Sequence, residues 1–216
     1  MSKKTDSNSN VETENVWQSF AQKNNLNAQQ LLQFQQYYSH FISYNKLHNL
    51  TAITNLNDVL NFHFTDSLAL ENLLDITSLK SIADIGSGGG FPGIPLKIKY
   101  PHLSLTLIEV NNKKQEFLKE VISKLNLDNC LVSSYDWRTF LRQTNYAIDL
   151  FCARASLQPE ELVRVFKASS PYKNSNLVYW ASKTWLASDE VKQYILKEIS
   201  YSIEDKTRKL VLLQNS

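Results

Sequence analysis

The sequence predicts an α/β fold: a mostly parallel sheet of seven strands with helices on both faces, preceded by a helical region that caps it. Three observations carry this. From Ser81 onward, short apolar runs rich in Leu, Ile and Val alternate with amphipathic stretches, the pattern in which each crossover lays a helix on a growing parallel sheet. The first of those runs, residues 82–85, opens directly into a loop, residues 86–93, that holds all five glycines of the chain. Before Ser81 the apolar residues recur at helical spacing instead. A chain of 216 residues with 43% hydrophobic content suffices for one such domain with an appendage.

Residues 1–10 are polar throughout after Met1, so a disordered tail is expected there. Residues 11–76 form the helical region. A first short helix places Val16, Trp17 and Phe20 on one side. A second, about 28–46, carries Leu31, Phe34, Tyr38, Phe41 and Ile42 at spacings of three and four, one apolar stripe that reads as core. Asn57 reads as the N-cap of a third helix bearing Val59, Leu60, Phe62 and His63. His63 and Asp66 lie three apart and share a face, which suits either chemistry or a local hydrogen bond. The other three histidines match no ligand spacing, so no metal is expected.

Residues 77–216 form the sheet domain, one structural unit with the helices. After the glycine loop, Ile94, Leu96 and Ile98 lead to Tyr100-Pro101, where proline ends the helix. Residues 103–109 alternate Leu, Ser, Leu, Thr, Leu, Ile and close on Glu109, a strand ending in an acid. Residues 112–125 form an amphipathic helix, with Phe117, Leu118, Val121, Ile122 and Leu125 inward and Lys113, Lys114, Lys119 and Lys124 outward. A strand at 130–133, a helical turn at 135–142, a strand at 147–153 and a helix at 159–167 with proline near its start follow. A strand at 177–181, a helix at 188–196 and strands at 199–203 and 209–213 complete the domain. Trp180 and Trp185 are expected at the rear of the sheet and Tyr172 at the surface.

The formal charge of +2 is nearly balanced and neither supports nor excludes a nucleic-acid partner. Cys130 and Cys152 sit in apolar runs and read as buried thiols of a reducing compartment. No apolar run approaches the ~18 residues of a membrane span, and the N-terminus lacks the apolar core of a signal peptide. A cytoplasmic monomer is expected.

Glycine admits positive φ and lets the backbone meet a ligand with no Cβ between them; five in one short loop exceed what a turn needs. In a doubly wound sheet the ligand crosses the carboxyl ends of the strands where their order reverses. Glu109, Asp136 or Trp137, and Arg154 each follow a strand end and should converge. Glu109, about twenty residues past the first glycines, is placed to accept both hydroxyls of an adenosine ribose. A nicotinamide dinucleotide and S-adenosylmethionine both fit that description. Gly88, Gly90 and Gly93 formally satisfy G-x-G-x-x-G, yet Pro92 occupies the turn meant to open the helix and the match starts two residues late. Asp84 would repel a pyrophosphate and favour the ammonium group of a methionine moiety. S-adenosylmethionine is therefore preferred, lying along Asp84, Gly86, Gly88 and Gly90 and across to Glu109. Arg154 stands at the mouth of the sheet, where a structural position would more often carry an apolar residue.

The stretch Asp84-Ile-Gly-Ser-Gly-Gly-Gly-Phe-Pro-Gly-Ile-Pro95 closely resembles the loop of the bacterial small-subunit ribosomal RNA guanine-N7 methyltransferases, once called glucose-inhibited division protein B. The resemblance covers about 34–213. Tyr44-Asn45-Lys46, Asn49-Leu50-Thr51, His63, Asp66-Ser67, Lys113-Lys114, Phe117-Leu118, Ala153-Arg154-Ala155, Lys183 and Arg208-Lys-Leu-Val match the family's successive motifs. It implies a class I methyltransferase fold (Rossmann-like), S-adenosylmethionine as donor and a guanine N7 of 16S ribosomal RNA as acceptor. By the same resemblance Gly86 and Phe91 line the donor pocket, Trp137 and Arg138 contact the donor, and Arg154 meets donor or substrate. The chain departs from the family pattern at Tyr135-Asp136, where Ser-Arg is usual, at Glu109-Val110, where Asp-Ser is usual, and at Thr184, where glycine is common.

Guanine N7 carries an in-plane lone pair and needs no general base, so alignment is the main task. The product base gains positive charge, which makes Asp66 a candidate for stabilising it, with Asn45 or Asn49 orienting the base edge. Contact with 16S ribosomal RNA or the small subunit is expected from Lys46, Lys113, Lys114, Lys183, Arg208 and Arg154. The lysine pair reads equally as a solvated helix face. A small-molecule methyltransferase, and a donor-binding ribosome-assembly protein weakened by Asp136, are the alternatives.

Overall fold

The computed structural model describes residues 4–215, with side chains from Val11 onward. Strand β1 (Ser81–Ile85) is buried at every position, as a strand covered on both faces must be. Its neighbours β2 (Ser104–Ile108) and β4 (Leu150–Arg154) run parallel to it; β3 (Cys130–Ser133) lies outside β2 and β5 (Asn176–Ser182) outside β4, again parallel. A terminal hairpin, β6 (Ile195–Ile203) and β7 (Lys206–Leu213), adds two antiparallel strands, giving the order β3-β2-β1-β4-β5-β7-β6. The chain builds outward from β1 to β3, returns, and builds the other side from β4. The order reverses between β1 and β4, and the crevice opens at the carboxyl ends there.

Alternation along β1 sends Ile82 to one face and Ala83 and Ile85 to the other. The first face is covered by α1 (Lys4–Lys23), α2 (Ala28–His48), α5 (Gly93–Lys99) and α6 (Asn112–Lys124). Helix α2 starts on an Asn27–Gln30 capping box and ends on Asn49 in the left-handed region. It buries Phe34, Tyr37 and Phe41, each contributing about 1.5–3 kcal/mol. Between α2 and the sheet, α3 (Leu56–Val59) passes through a π-helical segment, Leu60–Thr65, into α4 (Asp66–Leu68). The second face carries α7 (Trp137–Gln143), α8 (Pro159–Leu162) with the 3-10 turn Val163–Phe166 that continues it, and α9 (Asp189–Lys192).

Five local expectations change. Helix α1 starts at Lys4, inside the stretch expected as a tail, because a helix anchored by buried Trp17 and Phe20 extends through polar residues at little cost; residues 1–3 lie outside the described residues. The cap of α3 is Asn55, whose side chain accepts the Asn57 N–H at 2.9 Å. Helix α9 stops at Lys192, since Ile195 onward pairs with β7. Tyr172 is buried, its hydroxyl 2.6 Å from Thr144 Oγ1 and accepting the Tyr146 N–H. Trp180 and Trp185 lie on opposite faces: Trp180 joins the α2 side and Trp185 packs on Tyr179.

Candidate active site

The glycine loop is tied to the end of β2. Gly86 N–H and Ser87 N–H both donate to Ile108 O, at 2.8 and 3.1 Å. Gly88 N–H donates to Glu109 Oε2 and Asn111 N–H to Glu109 Oε1, both at 2.9 Å, so one carboxylate holds the glycine loop and the start of α6 together. Gly86 sits at φ +67°, and a Cβ there would stand 2.5 Å from Ser156 Cβ: the β1 and β4 loops meet too closely for any other residue. The result is a crevice of about 350 Å³, whose walls include Ile85, Gly86, Ile108, Glu109, Trp137 and Ser156. Lys114 reaches its edge, and Val110 and Tyr135 stand exposed on its rim.

Of the expected donor residues, Gly86, Glu109 and Trp137 meet at this crevice. Gly88 lies one step along the loop, on Glu109. The other four are elsewhere, for identifiable reasons. Asp84 is on the α2 side of β1, wholly buried, with Oδ2 accepting the Gly93 N–H at 2.9 Å and Oδ1 without a partner. Phe91 is enclosed between Tyr37 and His63, ring centroids 5.5 and 4.6 Å away. Arg138 points along α7 and grips Glu161 with two bonds of 2.6 and 2.8 Å. Trp137 itself is fixed by its indole N–H on Glu161 O at 2.9 Å.

Arg154 turns to the α2 side and organises a second centre. Its Nη1 donates to Phe62 O at 3.0 Å and Asp66 Oδ2 at 2.8 Å, and its Nη2 to His63 Nδ1 at 3.3 Å. The π-helical segment brings these acceptors together, since its wider turn brings His63 and Asp66 onto one guanidinium and presents the Phe62 carbonyl to it. Asp66 is fully buried and also accepts from Arg208 at 3.1 Å and from the Tyr201 hydroxyl at 2.6 Å. Its backbone carbonyl takes the Trp180 indole N–H at 3.0 Å. With two guanidiniums and a phenol on it, Asp66 is not the free carboxylate expected to face a cationic base; it holds Arg154. Arginine only donates, so His63 Nδ1 accepts and Nε2 carries the hydrogen, donated to Thr51 Oγ1 at 3.2 Å.

Two buried groups here titrate in opposite senses. Burial, and then Arg154 and Arg208, depress His63 from 6.5 to about 3. Burial raises Asp84 from 3.8 to about 7 against the opposing Gly93 N–H and Arg154, with Glu109 adding to the rise. Between pH 3.8 and 6.5 the unfolded chain binds a proton on His63 that the folded chain refuses, so stability rises with pH; the folded chain keeps a proton on Asp84 that the unfolded chain releases, so stability falls. Each slope is about 1.4 kcal/mol per pH unit, and they cancel. Denaturant unfolding across that window should show His63→Gln losing stability with rising pH by about 1.4 kcal/mol per unit relative to the parent. Parallel profiles would refute the pairing.

The remaining expected residues divide. Asn45 is buried and engages both ends of its carboxamide on Thr51, accepting its N–H at 2.8 Å and donating to its carbonyl at 3.1 Å, so it closes the loop after α2. Asn49 is exposed at the α2 C-cap. Lys46, Lys113 and Lys183 are exposed, whereas Arg208 is engaged by Asp66. Asp136 caps α7, accepting from Thr139 N–H at 3.0 Å and Thr139 Oγ1 at 2.7 Å, a local structural use for an acid at this position. Sequence reasoning passed over Tyr37, whose hydroxyl donates to Gly89 O, as well as Tyr201 and Ser156. Helical spacing from Phe34 and Phe41 could have found Tyr37; nothing local marks the other two.

Sheet order, a glycine loop at the reversal point and an acid from the second strand define a class I S-adenosylmethionine-dependent methyltransferase. The solved MtNAS complex with MTA and tNA has this fold, at 12% identity and TM-score 0.60 over 82% of this chain and 71% of that one. The chain belongs to the GidB family, rRNA small subunit methyltransferase G, whose model matches residues 30–211. It is 34% identical over 185 residues to the "Ribosomal RNA small subunit methyltransferase G" of Lachnoclostridium phytofermentans, covering 84% of this chain and 75% of that protein. Its 44% identity to the protein of the same name from Aster yellows witches'-broom phytoplasma extends over 52% of this chain and 53%, about half, of that relative's length. Among the described residues no helix is long and apolar enough to cross a membrane.

Proposed function

We propose that this chain methylates guanine N7 in 16S ribosomal RNA, acting in the cytoplasm on the RNA or the small subunit. The observation that carries the reading is the crevice between the β1, β2 and β4 loops in a chain whose family acts on small-subunit rRNA. Its volume of about 350 Å³ suits a nucleoside-sized ligand, and Gly86 in its wall presents bare backbone for a donor to lie against. When bound in this crevice, S-adenosylmethionine would supply a sulfonium methyl, an electrophile for the in-plane N7 lone pair.

The chain's residues align and enclose. Glu109 keeps lone pairs beyond its two backbone bonds for the ribose hydroxyls. Trp137 and Ile108 form an apolar wall. Arg154 uses three of its N–H groups on Phe62, Asp66 and His63, leaving Nε–H and one Nη2–H for substrate. Asn49 offers an exposed carboxamide to the base edge. Lys46, Lys113, Lys114 and Lys183 supply phosphate contacts around the cleft. Alignment of this kind accounts for about 7–11 kcal/mol in well-oriented model reactions. Tritium transfer from labelled donor, to deproteinised rRNA and to intact small subunits, should yield 7-methylguanosine on digestion. Label in another nucleoside, or none with either substrate, would overturn the reading.

A further inference from the structure

Helix α7 opens on Trp137 in the donor crevice and then leaves it, and the residues that follow line a different feature. Between α7 and the turn after α8 lies a groove of about 520 Å³ lined by Arg138, Leu141, Arg142, Arg164, Lys167 and the 169–171 turn. Four of its lining residues are cations and none is a carboxylate. In a chain of net charge +2 this is a marked concentration. Arg138 and Arg142 are one turn apart and share a face of α7. Arg138 and Arg164 share a single acid, Glu161, at 2.6 and 2.9 Å, so the ion pairs leave an excess of positive charge. Arg142 donates to Thr139 at 3.3 Å and feels the α7-capping carboxylate of Asp136 without a direct ion pair to it, and among the described residues no carboxylate forms an ion pair with exposed Lys167.

We infer that this groove is a docking track for the phosphodiester backbone of the substrate RNA, a surface separate from the lysines around the cleft. The inference rests on the rRNA methyltransferase reading above. Charge complementarity identifies the occupant, and continuity supports it, because the residue before Arg138 walls the donor crevice. A strand entering the crevice passes the head of α7 and follows the groove away from it. Leu141 and Pro171 are its apolar lining residues and no aromatic ring lines it, so it can hold phosphates but cannot stack or read bases. Contacts of this type release counterions and register as salt dependence.

The test uses the full chain with Arg142→Ala and Lys167→Ala combined, both exposed positions outside the donor crevice. The slope of log affinity for deproteinised rRNA against log salt should fall by roughly 1.5, about 0.7 to 0.9 for each lost phosphate contact. The KM for rRNA should rise about tenfold near 0.15 M salt, with the loss in KM and donor affinity by calorimetry as in the parent. Arg142→Lys with Lys167→Arg should restore the parent's slope, since charge and not shape is required. If the parent binds and methylates rRNA while the alanine variant keeps its slope and KM, the groove assignment fails and the function stands. If the variant loses affinity for intact subunits only, the groove faces ribosomal protein and the inference is equally overturned. If the parent neither binds nor methylates rRNA, the function proposed above fails and the groove falls with it.

Discussion

In a calorimetric titration, Gly86→Leu should bind S-adenosylmethionine at least about a hundredfold more weakly than the parent, a loss of about 2.7 kcal/mol. Two independent effects act at this residue. At φ +67° any side chain is strained, by roughly 1–2 kcal/mol for an ordinary L-residue. The Cβ would also sit 2.5 Å from Ser156 Cβ, so the β4 loop must retreat, and with it the crevice wall that Ala155 and Ser156 form. The larger side chain further occupies the donor's space. A companion variant separates these contributions: Gly86→Ala with Ser156→Gly removes the clash but keeps the strained φ, and should recover part of the donor affinity. Should Gly86→Leu fold and bind the donor as the parent does, the crevice is not the donor site, whatever else the loop does.

The parts of this site that were legible in the sequence are those recorded locally. Five glycines after an apolar run, an acid closing an alternating run, and helices alternating with strands are patterns within one element or its neighbour. They led to Gly86 and Glu109, which line one crevice, and to the sheet that holds them. What could not be read depends on which face a side chain takes once the chain has closed. Asp84 shares the α2 side of β1 with Ile82 because residues two apart in a strand share a face, and that turns Asp84 toward Gly93 instead of the crevice. Phe91 sits among four aromatic neighbours from α2 and the π-helical segment, a surrounding that nothing next to it in the chain records. Arg138 was lost to Glu161, a partner 23 positions away. The Asp66 cluster is the extreme case, with Arg154, Tyr201 and Arg208 lying 88, 135 and 142 positions off. Spacing within a helix showed that His63 and Asp66 share a face, and could not show what meets that face.

That cluster supports the second large effect. Asp66→Ala should lower stability by about 3–5 kcal/mol, because it leaves two guanidiniums facing each other across a buried site with no counter-charge. The side chain of Arg154 is 11% exposed and that of Arg208 31%, so Arg154 has less access to water and bears most of the loss. Tyr201→Phe, which removes one hydrogen bond to the same carboxylate and leaves both ion pairs, should cost only about 1 kcal/mol. The contrast between the two variants in denaturant unfolding isolates charge from hydrogen bonding. At temperatures where Asp66→Ala remains folded, donor affinity should hold, since Asp66 touches no wall of the crevice. Methyl transfer should nevertheless fall at least tenfold, because Arg154 is then free to swing from the mouth of the sheet, and about 1.4 kcal/mol of lost alignment is enough for that. A transfer rate equal to the parent's in folded Asp66→Ala would mean that Arg154 needs no positioning, and would reduce the buried cluster to a fastening between the helical region and the terminal hairpin.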